Sequence, residues 1–124
     1  MSSGLLSQLR GLWHKRRAEV DVKFKRTLPF ADYIVDRWEK ANELGFGEGA
    51  SIYDSVLVIG HVKVGAMTWI GPFVVLDGSA ELEIGAHCSI SAGVQVYSHD
   101  SVKWASTGGS SAYEYAKTRI GDNC

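Results

Sequence analysis

The chain has 124 residues, of which 45% are hydrophobic and 22% charged, with 13 basic against 14 acidic side chains and a formal net charge of −1. That is the composition of one ordinary soluble domain, and it excludes a disordered chain and a general nucleic-acid binder. Two cysteines are too few for a secreted disulfide framework; no apolar run reaches membrane-spanning length, and the N-terminus lacks a signal peptide's apolar core, so the expected location is cytoplasmic.

Residues 4–18 place Leu5, Leu6, Leu9, Leu12 and Trp13 on one helical stripe, with Arg10, Lys15, Arg16 and Arg17 mostly on the remaining surface. Such a helix reads either as a peripheral foot on anionic membrane or, more commonly, as a helix packed on a neighbour or left solvated. Val20, Val22 and Phe24 then alternate with Asp21, Lys23 and Lys25, which predicts a brief extended segment before Pro29. A second helix follows. Phe30, Tyr33, Ile34, Trp38, Ala41 and Leu44 form its apolar stripe, Asp36 and Lys40 are spaced to pair, and Gly45 supplies the stop.

From residue 52 onward an aliphatic residue recurs every six positions, at Ile52, Val58, Val64, Ile70, Leu76 and Leu82, and a small residue follows four positions later, at Val56, Val62, Thr68, Val74 and Ala80. After Glu83 the frame moves by two residues and restarts at Ile84, Ile90 and Val96. A helix needs a period near 3.6 and a flat amphipathic strand a period of two, so six predicts short strands joined by regular corners, with Gly65, Gly71 and Gly85 at the turns. The expected fold is mainly β, a hexapeptide solenoid over residues 51–124 with residues 1–50 as an N-terminal α-helical cap across its open first coil. Val96 and Ile120 are 24 residues apart, so the frame returns after an inserted loop at 102–119, which carries a Gly108-Gly109-Ser110-Ser111 tip.

Ile70-Gly71-Pro72, Ile84-Gly85-Ala86, Ile90-Ser91-Ala92-Gly93-Val94 and Ile120-Gly121-Asp122-Asn123 resemble the left-handed parallel β-helix acyltransferases of the hexapeptide-repeat superfamily. Val94 to Asp100, the loop, Tyr113-Glu114-Tyr115 and the Ile-Gly-Asp-Asn repeat are similar to sugar O-acetyltransferases of the maltose and galactoside type, and to surface-polysaccharide acyltransferases. The left-handed sense is implied by the resemblance alone, since parallel crossovers are otherwise right-handed in about 98% of cases. The family continues for several further coils that line the groove for the pantetheine arm of coenzyme A. Nothing in residues 1–124 matches those coils, so the expectation is a longer protein or a second chain that completes the site.

His99 is the first candidate for chemistry. It precedes the inserted loop in an outward or corner phase, and an imidazole accepts a proton near neutral pH. In the family resembled, a histidine at the matching point is the general base, and the loop shapes the acceptor pocket. Counting three repeats per coil, with two residues inserted near Leu82-Glu83, puts Asp77 and Ser79 beside His99. Asp77 orients the ring or holds an acceptor hydroxyl, or else it fills a corner that tolerates an acid. Trp104 and Glu114, on the loop, are further candidates for substrate binding.

The function expected is acyl transfer from acetyl-CoA to a hydroxyl or amine of a sugar or nucleotide-sugar, with no metal, in a homotrimer joined through flat faces that carry Trp69, Phe73 and Val75. The alternative is a non-catalytic solenoid scaffold or fragment. A third reading, a γ-carbonic anhydrase-like metal enzyme, needs three converging imidazoles. Against it, His61 shares a column with His99 two coils away, and His87 belongs to another column.

Overall fold

In space, a period of six becomes a pairing offset of 18 or 20 residues, and of 36 where the inserted loop intervenes. The computed structural model describes residues 2–124. β1 (Ser51–Ile52) pairs in parallel with β3 (Trp69–Ile70), and β3 with β5 (Ser89–Ile90), so that Ile52, Ile70 and Ile90 stand in one column. β2 (Leu57–Val64) pairs in parallel with β4 (Val75–Ile84), which carries β6 (Gln95–Val96) at one end and β9 (Thr118–Ile120) at the other. A third sheet is antiparallel and joins β7 (His99–Asp100) to β8 (Glu114–Tyr115).

The expectation of a mainly β, left-handed parallel β-helix under an N-terminal helical cap is corrected by this architecture. Among the described residues there are four helices and nine short strands, divided over separate parallel and antiparallel sheets, none closed on itself and none a solenoid sheet; the fold is mixed α/β. The physical reason is that a six-residue period reports which side chains face inward and which strands pair, and nothing more. It carries no information on whether the paired segments join into one continuous wall, and here β1, β3, β5 and β6 are each two residues long. The inserted loop likewise does not dangle. It forms α4 (Val102–Ser106) and returns antiparallel to β7 before β9 rejoins β4.

Two local differences matter for the site. The two extra residues fall between Gly78 and Leu82 rather than after Glu83, because Gly60 pairs with Gly78 while Val62 pairs with Leu82. They form a bulge at which Glu81 takes a φ of 77°. Corners also lie elsewhere than expected. Left-handed φ values occur three residues after an inward aliphatic, at Met67, Phe73, His87, Gly93 and Asn123, whereas Gly65 is there for close approach: a Cβ on it would sit 2.6 Å from the backbone of Gly85 and Ala86 in the next layer.

In the N-terminal third, α1 (Ser2–Phe24) runs straight through the segment expected to be extended. Val20 and Phe24 are one helical turn apart, with Val20 buried and Val22 between them 77% exposed, so the alternation is satisfied by a helix as well as by a strand. The second helix is broken into α2 (Phe30–Ile34) and α3 (Arg37–Glu43) because Asp36 adopts extended backbone and its Oδ1 accepts from the N–H groups of Trp38 and Glu39 at 3.0 and 2.9 Å. Asp36 therefore does not pair with Lys40, whose Nζ lies 3.0 Å from Asp54 Oδ1. Arg16 Nε donates to the carbonyl of Tyr33 at 2.7 Å and fastens α1 to α2, while Ala41 of α3 and Phe46 just beyond it join the core that contains Ile52 and Ile70. Among the described residues no helix is long and apolar enough to cross a membrane.

Candidate functional site

The bulge in β4 brings a carboxylate under a histidine. Asp77 follows the inward Leu76, and its side chain is fully buried. Beyond Gly78 the bulge turns Ser79 back, so that its N–H and Oγ donate to Asp77 Oδ1 at 3.0 and 2.5 Å. Leu76 pairs with Val96, which places the start of β7 against the other carboxylate oxygen: Oδ2 accepts from Ser98 N–H at 3.0 Å and meets His99 Nδ1 at 2.5 Å. Ser98 ties the arrangement together, since its Oγ donates to the Asp77 carbonyl at 2.8 Å and accepts from Ala80 N–H at 2.9 Å.

Burial pushes the Asp77 carboxyl up, but the hydrogen bonds from Ser79, Ser98 and His99 outweigh it and hold the group well below the usual carboxylate range. An ionised carboxylate only accepts, so the proton shared with His99 resides on Nδ1. Nε2 is then the ring nitrogen with a lone pair to offer. The imidazole is 27% exposed and lies between aromatic neighbours: it stacks on Tyr113 and Tyr115 at centroid distances of 6.1 and 5.8 Å and meets Tyr97 edge-on at 6.4 Å. Buried carboxylate and flanking rings together hold the imidazole in one orientation.

The structure thus brings together Asp77, Ser79 and His99. Glu114 sits opposite Asp100 on the rim of an open depression of about 300 Å³ that His99, Tyr97, Tyr115 and Thr118 also line. Its carboxylate is engaged by Lys103 Nζ at 2.8 Å, which raises the lysine above its ordinary value. Trp104 does not line the depression. It packs edge-on against Tyr113 at 5.6 Å, one ring removed from His99. Ser98, Tyr113 and Tyr115 escaped the sequence reading as site residues. The signal for the tyrosines is their spacing of two, which puts both rings on one side of an extended segment. Among the described residues no three His, Cys, Asp or Glu side chains gather as a metal set, and His61 lies instead 3.6 Å from Glu81.

The depressed Asp77 value makes a pH prediction. A carboxyl whose folded pKa is below its ordinary 3.8 contributes stability that is present above that value and is lost as pH falls through the folded pKa. Asp77→Asn removes the titration, so the stability gap between parent and variant should narrow by about 1 kcal/mol between pH 5 and pH 3. Urea midpoints at several pH values measure it, and a gap of equal size at pH 3 and pH 7 would contradict the ionised, donor-bound carboxylate. The chain matches no family model, and no curated protein shows significant similarity to it, so the chemistry assigned to this site rests on its own residues.

Proposed function

We propose that the chain is an acyl-coenzyme A dependent acyltransferase that moves an acetyl group to a hydroxyl or amine of a sugar or nucleotide-sugar, with His99 as general base. The observation that carries this reading is the 2.5 Å contact between His99 Nδ1 and the buried Asp77 carboxylate, which leaves Nε2 as the basic nitrogen beside an open depression. The nature of the donor comes from the motifs that resemble sugar O-acetyltransferases. In the step proposed, Nε2 takes the acceptor proton as the acceptor oxygen or nitrogen attacks the thioester carbonyl carbon. The tetrahedral adduct then collapses, the carbon–sulfur bond breaks, and the imidazolium returns the proton to the departing thiolate. No metal is required by this route.

Aromatic walls suit the proposed acceptor, since Tyr97 and Tyr115 line the depression and aromatic side chains pack on sugar rings. The same proposal takes a homotrimer as the working unit: of Trp69, Phe73 and Val75 only Phe73 is exposed, at 59%, while Trp69 packs on the core and Val75 is half-buried beside Leu57, itself 55% exposed and apolar enough to be covered by a further copy of the chain. The two free cysteines fit a reducing, cytoplasmic compartment. Acetyl-CoA incubated with the protein and a panel of mono- and oligosaccharides and nucleotide-sugars, followed by mass spectrometry, tests the reading, and sedimentation of the same sample tests the trimer. Acetylated product is the expected result. Absence of product with every acceptor, in the longest chain the gene encodes, would replace the enzyme with the scaffold reading.

A further inference from the structure

A second cleft, of about 330 Å³, lies between the C-terminal half of α1 and the α2–α3 pair, and it shares no residue with the depression at His99. Four cations and three carboxylates line it, and most are already committed. Arg16 is bonded to Glu19 and to the Tyr33 carbonyl, Asp36 caps α3, and Asp32 Oδ1 accepts from Asp54 N–H at 2.6 Å. Lys23, Arg26 and Arg37 are left. Among the described residues none of the three has a carboxylate within 4.0 Å.

These cations are nevertheless held in place. The Arg37 guanidinium lies 4.5 Å from the Trp38 ring centroid, 4.6 Å from that of Tyr53 and 4.9 Å from that of Phe24, while Arg26 bonds Tyr53 Oη and lies 5.6 Å from Trp69. Aromatic faces orient a guanidinium without neutralising it and leave its edge N–H groups free, the arrangement that receives a phosphate. A separate observation bears on the rest of the ligand. Asp32 is only 6% exposed, yet its Oδ2 has no hydrogen-bond partner among the described residues. A buried carboxylate oxygen of this kind calls for an O–H or N–H donor.

We infer that this cleft binds a phosphate ester of a polyhydroxylated compound, with the phosphate on Lys23, Arg26 and Arg37 and a hydroxyl donating toward Asp32. Free sugar phosphates and glycerol-phosphate lipid headgroups share that chemistry. The inference does not depend on the acyltransferase reading, because binding alone tests it.

Calorimetry with glucose 1-phosphate and with inorganic phosphate, and flotation with phosphatidylcholine vesicles with and without phosphatidylglycerol, form the two arms of the experiment. The expected result is binding in at least one arm that weakens with salt and falls about tenfold in Lys23→Gln and in Arg26→Gln, both exposed positions. Lys15→Gln, outside the cleft, should have no such effect on glucose 1-phosphate. Heat with glucose 1-phosphate identifies a soluble ester, and phosphatidylglycerol-dependent flotation that needs Arg26 identifies a headgroup. Either supports the site. Asp32→Asn should reduce any preference for glucose 1-phosphate over inorganic phosphate, and equal affinity for the two in the parent protein would overturn the hydroxyl contact. Binding in neither arm, or binding untouched by Lys23→Gln and Arg26→Gln in variants with parental circular dichroism, would overturn the site.

Discussion

Replacing His99 with Ala should lower the proposed acyl-transfer turnover by about 10²–10⁴, the usual worth of a positioned acid–base group, while leaving the protein folded. The imidazole stands at the surface end of the arrangement, and Asp77 keeps the Ser79 and Ser98 donors when it is gone. The loss should fall on kcat more than on KM, because the ring acts on the transferring proton rather than on the donor. Steady-state rates measured as a function of donor and of acceptor concentration give kcat and KM separately and decide the matter. An unchanged rate would leave His99 as an ordinary histidine packed among tyrosines.

Legibility differed from one feature to the next for physical reasons. The column Ile52, Ile70 and Ile90 is visible in the sequence because one inward side chain per six residues is all that column requires. The proximity of Asp77 to His99 follows from counting residues, since Leu76 pairs with Val96 and the chain beyond each runs in the same direction. The bulge at 79–81 is misplaced by two or three residues in the periodic reading because Leu82 satisfies two frames at once: it is six after Leu76, and it is also the partner of Val62. Sheet continuity was invisible, and so was the extent of α1, where only Val20 of the Val20–Phe24 segment had to be buried. The tyrosine stack on His99 was hidden for another reason. It depends on an antiparallel return, Tyr115 opposite His99, that no parallel repeat encodes.

A charge in the inner column tests the packing itself. Ile70 is fully buried, stands in register between Ile52 and Ile90, and belongs to the hydrophobic core. Ile70→Asp should cost about 3–5 kcal/mol, the scale for an uncompensated buried charge, against a typical total stability of about 5–15 kcal/mol. Ile70→Val, which removes one methylene and leaves the column apolar, should cost about 0.5–1.5 kcal/mol. The two variants should also differ in pH response. A carboxyl in an apolar column has its pKa raised, so it stays neutral at low pH and its penalty grows as pH rises through the unfolded value toward neutrality, whereas the valine deficit is flat. Urea unfolding of both variants at pH 4.5 and pH 7.5 gives the comparison. An Asp variant as stable as the parent at pH 7.5 would mean that position 70 does not face the core, and the column of isoleucines would lose its place in the fold.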